Sequence, residues 1–175
     1  AVIGPNLASW TKDFFDTAAK YIPNIRYISS DEKKTIGAKR NLLNKLALGD
    51  IIVAMDDDDY YVVERVEAAV KAFKKNPQVE LAGSTEIYMY YTDIKTIYKL
   101  GPYNPNHATN GTMAWRSSYA KTHTYDENVL FAEEKSFLED YKHPMIQLDP
   151  FKVMLVMSHS ENTFDKKKLR EQEEQ

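Results

Sequence analysis

The sequence predicts an α/β fold with a mixed, mostly parallel sheet, and three observations point there. Stretches with apolar residues at helical spacing alternate with short apolar runs, in the order helix, strand, helix, strand, helix, strand up to Gly83. The central run, Ile51-Ile52-Val53-Ala54-Met55, ends in four consecutive aspartates, Asp56 to Asp59, and ligands of such sheets gather beyond the carboxyl ends of strands. The chain of 175 residues, 43% hydrophobic and 12% aromatic, is the size of one domain with enough apolar material for a real core.

Trp10, Phe14, Phe15 and Ala18 fall at helical spacing within residues 8–21, and Pro23 closes that helix. A short strand is expected at 25–28. Thr35 is placed to cap a second helix with apolar positions Ile36, Leu42, Leu43, Leu46 and Ala47, and Gly49 is placed to end it. The strand 51–55 follows. Val62, Val66, Ala69, Val70 and Phe73 then make a third amphipathic helix that stops before Pro77, and 81–83 reads as a strand. The second half differs: residues 86–100 are tyrosine-rich and β-prone around Thr92-Asp93, which suggests a hairpin. A loop at 101–105, a strand at 111–115, a helix at 132–141 ended by Pro144 and a last buried strand at 151–157 complete the reading. With no internal repeat or low-complexity linker, residues 1–164 are expected to form one domain and 165–175 a charged tail or the start of a linker. The chain begins at Ala1 rather than methionine and reads as a piece of something longer.

A net charge of −3 and a pI near 5.8 argue against a general nucleic-acid partner. The chain has no cysteine, which excludes disulfides, zinc–thiolate sites and cysteine nucleophiles and fits a reducing, cytoplasmic setting. No apolar run approaches the roughly 18 residues of a membrane span, and no signal peptide is visible. Asn110-Gly111-Thr112 matches a glycosylation sequon and, without a secretory signal, reads as chance.

The aspartates carry the strongest chemical signal. In an extended chain Asp56 and Asp58 face one way and Asp57 and Asp59 the other. Crowded carboxylates raise one another's pKa and repel, and an oxygen-loving ion such as Mn²⁺ or Mg²⁺ relieves that cost while leaving positions for phosphate oxygens. An acidic solvated turn is the plain alternative, but a helix cap needs one carboxylate and leaves three unexplained. Lys39 and Arg40, within Gly37-Ala38-Lys39-Arg40-Asn41, sit in the first turn of a helix, where an anion such as a diphosphate would meet helix amides and side chains together; otherwise both lie in solvent. His159 follows the last strand, so a neutral imidazole is expected near the carboxylates, whereas His123, in the polar stretch 121–124, has no strand to aim it at a metal. Glu133 and Glu134 open a helix as dipole partners or furnish a general base.

These segments together resemble a known family. Ile36-Gly37-Ala38-Lys39-Arg40-Asn41, then Ala47-Leu48-Gly49-Asp50-Ile51-Ile52-Val53, then the aspartate run with Tyr60-Tyr61 resemble the central stretch of nucleotide-sugar glycosyltransferases of the GT-A fold, particularly the family-two type. The resemblance covers most of the chain, with Glu133-Glu134 in place of the family's acidic pair and His159 with Asn162 in place of its late metal-binding segment. It implies a GT-A-like three-layer fold, a UDP-sugar donor such as UDP-glucose, Mn²⁺ or Mg²⁺, and a glycan or glycoprotein acceptor. Carried over, Asp58 is the main metal ligand, Asp56 contacts metal or ribose, and His159 completes the metal shell. Lys39, Arg40, Asn41 and Asn162 assist at the nucleotide, Asp57 and the 110–115 strand line the sugar or acceptor pocket, and Glu134, beside Glu133, is the base if configuration inverts. A narrower likeness is to the domain with which chlorella viruses glycosylate their capsid protein, which would place it in host cytoplasm. Residues 1–6 are all that precede the first helix, so the family's opening strands are expected to be missing or shortened.

Two other classes use similar residues. An EF-hand reading takes Asp56, Asp58 and Glu67 as loop positions but meets Tyr61 where glycine is needed. A nucleotidyltransferase would also place aspartates on a nucleotide-binding sheet, yet the glycine-rich phosphate loop such enzymes carry is not found.

Overall fold

The computed structural model describes residues 2–5, 9–130 and 132–159. Strand β1 (Val2–Pro5) and strand β2 (Tyr27–Ser30) pair in parallel, crossed over by α1 (Ser9–Ala18). The sequence reading has no strand at 2–5. Four residues show no alternation, and pairing with β2 is what defines them. On α1, Phe15 stacks on Tyr27 with ring centroids 5.3 Å apart, while Phe14 remains exposed.

Helix α2 (Ile36–Leu46) begins as expected, with Thr35 Oγ1 accepting from the Ala38 amide at 3.3 Å. It ends before Gly49, at Ala47, whose N–H bonds to Leu43 O. β3 (Ile51–Val53) stops two residues short of the expected strand; β4 (Tyr60–Tyr61) follows the aspartates and leads to α3 (Arg65–Lys75). β5 (Leu81–Gly83) and the hairpin of β6 (Ile87–Tyr91) and β7 (Thr96–Leu100) lie where the pattern puts them.

The second half departs more. The expected strand 111–115 is a 3₁₀ turn, Asn110–Thr112, followed by β8 (Ala114–Arg116), because the buried Thr112 hydroxyl accepts from the Ser84 amide and donates to Thr109 O. After α4 (Ser117–Ala120), the helix expected at 132–141 shrinks to the single turn α5 (Glu134–Phe137). Ala132 before it, and Glu139, Asp140 and Tyr141 after it, have φ of 53°, 46°, 58° and 61°, which a right-handed helix excludes. β9 (Met145–Gln147) was not anticipated, and the last strand begins later than expected, as β10 (Met154–Ser158) after a 3₁₀ turn at Pro150–Lys152.

Two four-stranded sheets result, ordered β3-β8-β5-β9 and β4-β10-β6-β7. In the first, β3, β5 and β9 run the same way and β8 is reversed; in the second, β10 and β6 are parallel between antiparallel edges. The register Leu81↔Trp115 and Ala82↔Ala114 sorts side chains by face. Ala82 and Ala114 meet Ala69 and Phe73 of α3, whereas Leu81 and Trp115 join an aromatic cluster with Tyr119, Tyr125 and Phe137. Small residues admit the helix; large ones build the wall beneath the candidate site.

Candidate active site

The aspartates occupy a corner rather than an extended strand, so the alternation expected of Asp56 and Asp58 does not occur: β3 ends at Val53 and Asp57 and Asp58 lie in a turn. Backbone bonds hold this corner. The Asp56 amide donates to the Tyr61 hydroxyl at 2.8 Å, and that hydroxyl donates to Gly111 O at 3.2 Å. Asp59 Oδ1 accepts from the Met157 amide at 2.7 Å, fastening the corner to β10. Arg65, fully buried, donates to Ala54 O at 3.1 Å and Met113 O at 2.7 Å. Burial without a carboxylate partner pushes its guanidinium down to about 10. The spacing of Arg65, Ala69 and Phe73, each four residues apart, already places that arginine on the apolar face of α3, a signal the sequence reading passed over.

Arg40 does not reach toward solvent phosphate. Its Nη1 donates to Asp56 Oδ1 at 3.1 Å and its Nε to Glu133 Oε1 at 2.8 Å. Turned so that its amide oxygen faces the guanidinium, Asn110 accepts from Arg40 Nη1 at 2.6 Å and donates to the Tyr125 hydroxyl at 2.6 Å. Burial pulls the Arg40 pKa down, but Asp56 and Glu133 outweigh it and the net shift is upward. In this structure Arg40 is thus an internal counter-ion of Asp56 and Glu133. Asn41 is likewise engaged within the protein. Its amide nitrogen donates to Tyr125 O and Glu127 Oε1 and its oxygen accepts from the Tyr125 amide, so the side chain staples α2 to the 125–127 segment. Gly37 serves the same junction, since a Cβ there would lie 2.4 Å from Asp126 O. Lys39 remains half-buried on the first turn, with no carboxylate at ion-pair distance among the described residues.

Asp58 and His159 do come together. Antiparallel pairing of β10 with β4 runs the strand past the corner, and His159 Nε2 lies 3.7 Å from Asp58 Oδ2, with side chains 31% and 40% exposed. Asp56 does not join them in a three-donor cluster, because it is drawn to Arg40. A carboxylate and an imidazole side by side and open to solvent suit a divalent ion of the Mn²⁺ kind, so the donor set fits the metal through Asp58 and His159. Asp57 is exposed, and Asn162 lies outside the described residues.

Glu133 is buried against Arg40, whereas Glu134 has no such partner. Burial chiefly, with Glu133 and Asp56 adding and its own backbone hydrogen bond and Arg40 opposing, pushes the Glu134 carboxyl up to about 7. A carboxylate tuned to that range is suited to take a proton at neutral pH. The sequon reading as chance has a structural counterpart, since Asn110 and Thr112 are 5% and 0% exposed and closed to modification.

Residues 9–141 match the family model of glycosyl transferase family 2, and the chain belongs to that family. Among solved structures, that of Staphylococcus aureus TarS residues 1–349 in complex with UDP-GlcNAc matches with a TM-score of 0.69 and 15% identity. The match covers 93% of this chain and 50% of that one, so the chain spans about half the length of its solved neighbour. The likeness establishes a GT-A-like fold with mixed sheets. No curated protein matches the sequence, and neither match supports the narrower viral likeness. No helix among the described residues is long and apolar enough to cross a membrane.

Proposed function

We propose that this chain is the catalytic part of a metal-dependent glycosyltransferase that moves a sugar from a UDP-sugar, UDP-glucose or a relative, to a hydroxyl of a glycan or glycoprotein. The observation that carries this is the Arg40 bridge, which ties Asp56, at the aspartate corner, to Glu133, the neighbour of Glu134. Donor-side and acceptor-side carboxylates thereby share one site. Asp58 and His159 would hold Mn²⁺ or Mg²⁺, whose part when bound is to grip the diphosphate and stabilise charge on the departing nucleotide. Lys39, with no acidic partner among the described residues, adds positive charge at the start of α2, where helix amides also favour an anion. Glu134 takes the proton of the acceptor hydroxyl as that oxygen attacks the anomeric carbon and the carbon–oxygen bond to the diphosphate breaks, a displacement that inverts the anomeric centre. Asp57, exposed on the corner, faces the sugar or acceptor, and the setting is cytoplasmic, in keeping with the lack of cysteine. The test is incubation with UDP-sugars and a glycan acceptor, with Mn²⁺ or with chelator. UDP release that needs metal, with an anomerically inverted product, is expected; pyrophosphate instead of UDP indicates nucleotidyl transfer, and a retained anomer removes Glu134 from the role of base.

A further inference from the structure

On the side of the aromatic wall away from α3, three metal-ligating side chains meet that the glycosyl-transfer chemistry does not use. His123, Glu139 and His143 bring one donor atom each to within 4.8 Å of one another, the one such trio among the described residues. His143 Nε2 already lies 2.9 Å from Glu139 Oε2, and the two imidazole rings are 5.1 Å apart at 85°. Three residues with left-handed φ, Glu139, Asp140 and Tyr141, lead from the carboxylate to His143.

The second observation concerns His123. Its ring stacks on Tyr119 at 3.7 Å, and its Nδ1 lies 3.0 Å from Tyr119 O. The Thr122 hydroxyl lies 2.9 Å from the same nitrogen; in the tautomer whose Nδ1–H donates to the Tyr119 carbonyl, the neutral ring keeps its lone pair on Nε2. A backbone carbonyl behind the distal nitrogen is the arrangement that orients metal-binding histidines. The sequence reading saw nothing to aim this histidine; the aiming element is an aromatic stack, invisible to strand periodicity.

We propose that His123, Glu139 and His143 form a binding site for a divalent transition-metal ion of the Zn²⁺ class, separate from the donor site. Two imidazoles and one carboxylate select such an ion over Mg²⁺ or Ca²⁺. Ligand atoms about 2.0–2.2 Å from zinc stand about 3.3 Å apart, so the donor separations, all within 4.8 Å, must shorten to close the trio. Bound there, the ion would staple the segment after α4 to the turn after α5, the element that carries Glu134, already joined by the Tyr119 hydroxyl donating to Phe137 O at 2.7 Å. This inference stands independently of the proposed transfer reaction.

The test is Zn²⁺ titration by calorimetry of the Asp58→Asn, His159→Ala protein, which removes the other candidate ligands, together with long-range ¹H–¹⁵N spectra of the histidine rings. One Zn²⁺ per chain is expected, bound at least about tenfold more weakly after His143→Ala and after Glu139→Gln, with the His123 and His143 ring nitrogens shifting and His107 unmoved. Glu139→Gln preserves shape, so a fold-intact loss isolates the ligand. Unchanged binding in both variants, or unmoved His123 and His143 signals at saturation, overturns the site.

Discussion

Asp56 and Asp58 stand two residues apart and meet opposite surroundings. Asp56 is half-buried and bonded to Arg40, in a network that includes Glu133, Asn110 and Tyr125. Asp58 keeps a side chain 40% exposed beside His159. The first carboxylate is compensated by Arg40; the second, beside His159, is the proposed cation ligand. The acidic pair repeats the division, Glu133 being neutralised by Arg40 and Glu134 left with a raised pKa. In the proposed mechanism one internal arginine thus separates holding groups from working groups on both sides of the site.

The largest expected effect is on the working side. Asp58→Asn should lower UDP release about a thousandfold, as loss of a metal ligand removes transition-state charge stabilisation; circular dichroism should be unchanged, and a lost signal would move Asp58 to the holding class. Arg40→Ala tests that class. It strands two carboxylates at a largely buried position and should cost about 3–5 kcal/mol of stability, read as a fall in Tm of about 10 °C. If stability is unaltered while nucleotide binding fails, Arg40 belongs with the phosphate after all.

Glu134→Gln should reduce turnover about a hundredfold and abolish the rise of activity through pH about 7. It has a stability signature of opposite slope. Between 4.5 and about 7 the folded protein keeps a proton on Glu134 that the unfolded chain releases, so stability falls as pH rises through that window. The glutamine variant should flatten that slope in denaturant titrations; a slope that survives assigns it to another group. The smallest effect is expected at His159, where alanine should weaken Mn²⁺ binding about tenfold in the presence of UDP. Equal affinity for parent and variant would leave Asp58 holding the ion with phosphate and water.

What the sequence determined by itself was local. Period and capping located α1, α2, α3, β5 and the β6–β7 hairpin, because apolar spacing and the Thr35 cap act over a few residues. The juxtaposed aspartates, Asp56 to Asp59, marked a candidate ion-binding segment from composition alone. Tertiary structure decided the partnerships. Arg40 meets Asp56 across 16 residues and Glu133 across 93, and Met157 meets Asp59 across 98, so no window of sequence contains both members. It also decided that Asn41 is a staple, that the helix at 132–141 is one turn, and that His123 faces Glu139 and His143. Each follows from how α2, α4 and α5 close on the aromatic cluster around Trp115, where burial leaves polar groups only those partners that packing brings within reach.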